Sequence, residues 1–305
     1  MTAVQIVLTI LAALAVVTAA EIYRELHTFK VTKYSIKSEK FPAGGKTVKI
    51  VFLSDLHNRE YGRENENLYQ ALRTEWPDLI LIGGDMLVGK DRVSYEPALK
   101  FVQKLPAICP VYYANGNHEQ RMKENPKEYS YSYADYKTML EESGVVFLEN
   151  ETETVRIGQT TLEICAVELP LETYRKMKKA NVTSQDIGNL AGDQAGSQDR
   201  VTPQAAYRIL LAHNPAYMDA YKAWGADLIL SGHLHGGIVR IPGLGGVISP
   251  QAFLFPRYSG ELTLEGDQTV IVSRGLGTHT IHLRLFNTPE LVSISLEPAM
   301  EKKIL

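Results

Sequence analysis

Five of the chain's eight histidines, His57, His118, His213, His233 and His235, stand at or just beyond the ends of apolar runs, beside glycines or carboxylates. With Asp55, Asp85 and Asn117 they make a mixed nitrogen and oxygen donor set that contains no thiolate. Such a set suits Mn, Fe, Zn or Co rather than an iron–sulfur cluster or a thiolate zinc site. A lone histidine after a strand is more often structural, so the weight lies in the recurrence. Asp55-Leu56-His57 and His233-Leu234-His235 share one spacing. On an extended segment residues i and i+2 face the same way, so each pair can hold one ion. Gly232, Gly236 and Gly237 let the backbone turn tightly there. Gly83-Gly84-Asp85 puts a carboxylate at a strand-to-loop turn, where its two oxygens can bridge two cations. Gly116-Asn117-His118-Glu119 offers a neutral oxygen ligand followed by a histidine that points elsewhere.

The elements that must position these residues are short apolar runs alternating with amphipathic stretches, the pattern of a layered α/β domain. The runs 48–55, 78–85, 111–118, 207–213 and 227–233 all end in Asp, Asn or His. In open α/β sheets the ligand site lies beyond the carboxyl ends of the strands, so the five runs aim their chemistry at one place. Helices are expected over 65–74, 94–104 and 131–143, the last stopped by Gly144, and a hairpin over 152–157 and 160–167 around Gly158-Gln159. The stretch 181–200, poor in large apolar residues, reads as a mobile loop, and its Asn181-Val182-Thr183 glycosylation pattern as a chance match.

As an ordered set, Asp-x-His, Gly-Asp, Gly-Asn-His-Glu, His213 and Gly-His-x-His resemble the calcineurin-like metallophosphoesterase superfamily. The resemblance runs from Lys49 to His235 and continues more weakly to Glu290. The chain looks most similar to a bacterial membrane-associated branch of phosphodiesterases and proteins like UDP-diacylglucosamine pyrophosphatases. That likeness rests on an apolar N-terminus, His213-Asn214-Pro215, the stretch 231–237 and Ser273-Arg274-Gly275-Leu276-Gly277. The resemblance implies two mixed β-sheets packed as a sandwich and flanked by helices. It implies that Asp55, His57, Asp85 and His235 bind a first divalent ion, and Asp85, Asn117, His213 and His233 a second, with Asp85 as the bridge. His118 would protonate the leaving oxygen or stabilise its charge. The ions, Mn, Fe, Zn or similar, would lie ~3.5–4 Å apart and lower the pKa of a bridging water, whose hydroxide attacks the phosphorus in line. Glu119 replaces the Asp frequent at its position and would orient His118, or else be a plain surface carboxylate.

Residues 2–20 carry no charge. At ~1.5 Å per residue a helix of that length nearly matches a hydrocarbon core of roughly 30 Å. We expect a retained single-pass anchor over 1–21 and one catalytic domain over 22–305. Arg24, Lys30, Lys33, Lys37 and Lys40 favour a cytoplasmic catalytic domain, the alternative being a cleaved signal peptide and an extracytoplasmic one. With 45% hydrophobic and 22% charged residues, disorder and a disulfide scaffold are excluded. The net charge, 32 − 35 = −3, gives no support to a nucleic-acid partner. Cys109 and Cys165 read as small buried apolar residues.

The expected activity is hydrolysis of phosphodiester or pyrophosphate bonds, with lipid-linked substrates favoured by the anchor. The alternatives are a phosphomonoesterase or protein phosphatase, or a catalytically silent metal-binding scaffold. The apolar stretch 241–255 could line an acyl-chain groove or pack onto a sheet edge. Arg274, His279 and Arg284 could meet substrate phosphates or make ordinary surface pairs.

Overall fold

A computed structural model describes residues 1–192, 206–237, 239–278 and 282–299. Helix α1 (Ala3–His27) is followed by β1 (Lys30–Ser38), β2 (Val48–Leu53), α2 (Glu66–Thr74), β3 (Leu79–Ile82), α3 (Glu96–Val102), β4 (Val111–Ala114), α4 (Asn117–Glu124), α5 (Tyr133–Glu142) and β5 (Val145–Leu148). Then come β6 (Glu151–Ile157), β7 (Thr160–Val167), α6 (Ser184–Leu190), β8 (Tyr207–Ala212), α7 (Met218–Trp224) and β9 (Leu228–Ser231). A small hairpin of β10 (Arg240–Ile241) and β11 (Gly245–Gly246) precedes β12 (Leu262–Glu265), β13 (Gln268–Val272) and β14 (Glu290–Pro298).

The strands form two six-stranded mixed sheets, β1-β14-β2-β3-β4-β5 and β12-β13-β9-β8-β7-β6. In the first, β2, β3, β4 and β5 run parallel, so their carboxyl ends share one edge; in the second, β7, β8, β9 and β13 do the same. Alternate residues explain the layers. Ile50, Phe52, Leu79 and Leu81 meet Ile164, Ile209, Leu211 and Leu230 across the gap between the sheets. Their neighbours Val51, Leu53, Ile80 and Ile82 face outward onto Leu68 and Leu72 of α2, Phe101 of α3 and Leu140 of α5. On the far side Leu210, Ile229 and Val270 pack against Ile187 of α6 and Tyr221 of α7. A strand covered on both faces must be apolar at every position, which is why these runs read as continuous rather than alternating. The expected sandwich flanked by helices is therefore the fold.

The three expected helices and the hairpin are present within a few residues of their expected bounds, and Gly144 follows α5 with φ of 100°. Two expectations change. Part of 181–200 is helix α6: Thr183 and Asp186 cap it reciprocally, and Ile187 is fully buried with Leu190 packed against the same cluster. The remainder, 193–200, lies outside the described residues. Helix α1 also continues beyond the uncharged run, through Glu21 to His27, and its residues 1–20 are exposed while Glu25 is buried.

Candidate metal centre

All eight candidate residues converge at the strand ends, as the terminal polar residues of the runs suggest. Asp55 and His57 follow β2, Asp85 follows β3, Asn117 and His118 open α4 after β4, His213 follows β8, and His233 and His235 follow β9. Three groups of ligand atoms lie within 4.8 Å of one another: Asp55 with His57 and His235; Asp85 with His213 and His233; and His57 with Asp85 and His118. His57 Nε2 and His235 Nε2 are 3.1 Å apart, and His213 Nε2 stands 3.2 Å from Asp85 Oδ2. Asp85 also lies 3.8 Å from His57 Nε2, so it faces both sides of the cluster.

The pairs Asp55/His57 and His233/His235 do not converge by strand alternation. Strand β2 ends at Leu53, and Asp55, His57, Asp85, His233 and His235 all have left-handed backbone, with φ of 53°, 46°, 55°, 67° and 48°. A non-glycine residue there costs on the order of 1–3 kcal/mol. Main-chain bonds between adjacent loops hold these turns: Asp55 N to Gly84 O at 2.9 Å, His57 N to Asp85 O at 3.1 Å, and Gly232 N to His213 O at 3.1 Å. Close approach requires glycine at several of these turns. A Cβ on Gly116 would sit 2.2 Å from Asp85 Oδ1, and one on Gly232 2.0 Å from Ser54 Oγ.

Hydrogen bonds to the far ring nitrogen separate the histidines into two kinds. Nδ1 of His57, His213 and His235 meets the carbonyl oxygens of Leu87, Gly83 and Gly277 at 3.3, 2.6 and 3.0 Å. A carbonyl can only accept, so Nδ1 carries a proton and Nε2 faces the cluster, where it can ligate once it has no proton of its own. His118 is reversed. Its Nδ1 accepts the Gly89 N–H at 2.8 Å, so in the neutral ring Nε2 carries the proton and is the atom able to donate.

Asn117 Oδ1 and His233 Nε2 are among the polar atoms of the cluster that are buried without a hydrogen-bond partner among the described residues. Buried acceptors are rarely left so, and a cation is what such orphans and carboxylates fit. Burial works against ionising Asp85, but the surrounding His213, His118 and His57 outweigh it and hold the carboxyl well below the usual range. Burial chiefly raises Asp55 to about 6.

Glu119 is neither a surface carboxylate nor turned onto His118. It is fully buried and accepts from Asp85 N at 2.8 Å, Met86 N at 2.9 Å, Gly116 N at 3.1 Å and Tyr113 Oη at 2.8 Å. It ties the first turn of α4 to the loop that carries Asp85. Burial and the nearby Asp85 push its pKa up to about 7. The sequence signal is a Glu at the third position after the Gly116 cap, where a side chain reaches back to the cap N–H.

The profile of the calcineurin-like phosphoesterase family matches residues 48–237. The chain belongs to the calcineurin-like metallophosphoesterase superfamily. It is a metal-dependent phosphoesterase, of a family that works with divalent ions, and the clustered ligand atoms are of the kind such ions need. Among relatives, this phosphoesterase is 26% identical over 278 residues to the uncharacterised metallophosphoesterase YkuE of Bacillus subtilis (strain 168), covering 90% of this chain and 88% of YkuE. It is 25% identical over 254 residues to the phosphodiesterase YaeI of Escherichia coli (strain K12), covering 81% and 82%. The solved phosphopantetheinyl hydrolase PptH of Mycobacterium tuberculosis aligns with a TM-score of 0.43 and 16% identity, over 77% of this chain and 94% of that one.

A cavity of about 350 Å³ opens beside the phosphoesterase's cluster, with Asn117, His233 and His235 on one wall and Arg121, Tyr174 and Lys176 among the others. Arg121 lies one turn beyond His118 on α4, and no ion pair among the described residues involves it or Lys176. Neither residue stood out in the sequence, because neither ends a strand. Arg284 also borders the cavity, but it is 1% exposed and donates to the carbonyls of Asn287, Arg274 and Gly277 at 3.1, 2.8 and 2.8 Å, which makes it an internal brace. Arg274 donates to Gly260 O at 2.9 Å and lies 3.9 Å from Glu290. His279 lies outside the described residues. Of the stretch 241–255, residues 248–252 line the cavity, while Leu244, Leu254 and Phe255 are exposed rather than packed onto a sheet edge.

Proposed function

We propose that this phosphoesterase is a membrane-anchored hydrolase of phosphodiester or pyrophosphate bonds, with lipid-linked esters as its substrate class. In this reading Asp55, His57, Asp85 and His235 hold one divalent ion and Asp85, Asn117, His213 and His233 the other, with Mn, Fe, Zn or similar bound. When bound, such ions neutralise phosphoryl charge and make water a nucleophile near neutral pH. The observation that carries the reading is the reversed hydrogen bond of His118. A ring held by Gly89 N–H at Nδ1 keeps its proton on Nε2, where it can be given to a departing alkoxide. Arg121 and Lys176, on the cavity wall and without carboxylate partners among the described residues, suit an anionic substrate. YaeI, named a phosphodiesterase, supports the diester preference.

The apolar, exposed α1 supports the anchor, and the basic residues from Arg24 to Lys40 support a cytoplasmic catalytic domain. The exposed Phe253, Leu254 and Phe255, which follow the cavity-lining Ala252 in the chain, support a lipid-bearing substrate and the membrane-associated branch that includes UDP-diacylglucosamine pyrophosphatase-like proteins. The test is hydrolysis of bis-p-nitrophenyl phosphate against p-nitrophenyl phosphate by the full chain in detergent. The protein is stripped of metal, then supplied with Mn, Fe(II), Zn or Mg. Metal-restored turnover that favours the diester and disappears in Asp85→Asn is expected. Preference for the monoester would turn the reading to a phosphomonoesterase, and bound metal without turnover to a silent scaffold.

A further inference from the structure

The last turn of α1 is built into the framework of the cluster. Glu25 is 1% exposed, although residues 1–20 of the same helix are bare. Its two carboxylate oxygens accept the main-chain N–H of Asn287 at 2.8 and 2.9 Å, and Oε1 accepts the Thr288 hydroxyl at 3.0 Å. A buried carboxylate is tolerated only where donors meet it in this way. Asn287 in turn spends its side chain on the cluster: Nδ2 donates to the main-chain carbonyl of His235 at 2.6 Å. The approach is close enough that a Cβ on Gly236 would lie 2.1 Å from Asn287 Oδ1. The opposite loop grips the same turn, for Arg59, two residues beyond His57, donates to the carbonyl of Leu26. The two loops attached to α1 thus carry the two histidines whose Nε2 atoms are 3.1 Å apart.

From this chain of contacts we infer that Glu25 is a positioning residue for the ion held by Asp55, His57, Asp85 and His235. Through Asn287 it fixes the main chain of His235, whose left-handed φ of 48° needs outside support. The anchor helix is then a working part of the centre and more than a tether. The second group, Asp85 with His213 and His233, has no such link among the contacts of α1 described above, so the effect is one-sided. This rests on the two-ion reading above.

The experiment is titration of the metal-free full chain in detergent with Co(II), following both stoichiometry and the visible absorption of the bound ion. Wild type is expected to take two ions. In Glu25→Ala one of the two should bind about 10–100-fold more weakly, the range for a lost supporting partner, while the other keeps its affinity. Glu25→Gln, which keeps one acceptor oxygen, should recover part of the loss. Asn287→Leu, which spares the carboxylate, should weaken the same ion, and the double variant should be no worse than the more affected single one. Wild-type affinity for both ions in Glu25→Ala and Asn287→Leu would overturn the inference. So would equal weakening of both ions with a lowered melting temperature, which marks a general support of the fold. A wild-type chain that takes up no Co(II) would overturn the two-ion reading as well.

Discussion

Phe52 and Asp55 lie on one segment, three residues apart, and both are 0% exposed, yet opposite physics keeps them dry. Phe52 belongs to the layer between the sheets, where apolar side chains fill the space and no polar group has to be satisfied. Asp55 belongs to the centre at the strand ends, where Ser54 Oγ at 2.5 Å and His233 N at 3.0 Å meet its carboxylate. The interior draws its stability from area and shape, so changes there should be graded by volume. The centre draws its order from directed bonds on strained turns, so a change of one atom's character should count for more than a change of size.

The sharpest break between the regions should come at Asp85. Asp85→Asn preserves the volume and should abolish metal-dependent turnover while leaving far-ultraviolet circular dichroism and the apo melting curve close to wild type. Phe52→Ala should do the reverse, costing roughly 3–5 kcal/mol in urea unfolding. Turnover of the Phe52→Ala molecules still folded should stay near wild type, because the aromatic ring packs between the sheets and against Gly83 and touches no ligand side chain. Glu119→Gln tests the boundary between the regions. It turns an amide toward N–H donors that need an acceptor, so we expect a loss of ~1–3 kcal/mol in stability and weaker metal binding.

The smallest effect lies away from both regions. Burial disfavours ionised Glu149, but Lys137, Tyr133 and Lys123 outweigh it and bring its pKa down to about 2 from an ordinary 4.5. A depressed folded-state value contributes stability above the unfolded pKa and loses it as pH falls through the folded one. Melting temperature should therefore gain an acid-sensitive component between pH 4.5 and about 2 that Glu149→Gln removes. An unchanged acid profile in that variant would count against the ion cluster.

What could be read from the chain before its fold was known follows the same division. Strands buried on both faces left unbroken apolar runs, and the polar residues closing them marked where the centre would form. The turns that bring Asp55 to His57 and His233 to His235 were not legible, since left-handed backbone at Asp or His leaves no mark in the residue type. The role of Glu119 and the burial of Glu25 are not legible for a related reason: a carboxylate satisfied by main-chain N–H groups looks like a surface carboxylate until its donors are in place. Helix α6 is not legible because only Ile187 and Leu190 anchor it, too few for a periodic pattern. Helix α1 was cut short because charge ended the apolar run before the helix ended.

The most direct measurement of the central claim is the metal content and the bis-p-nitrophenyl phosphate turnover of His118→Gln in the full chain. If His118 is a proton donor held by Gly89 rather than a ligand, the variant should keep two ions per chain and lose ~10²–10⁴-fold in turnover. Loss of an ion would contradict the account, because it would make His118 a ligand and void the distinction drawn from its hydrogen bond.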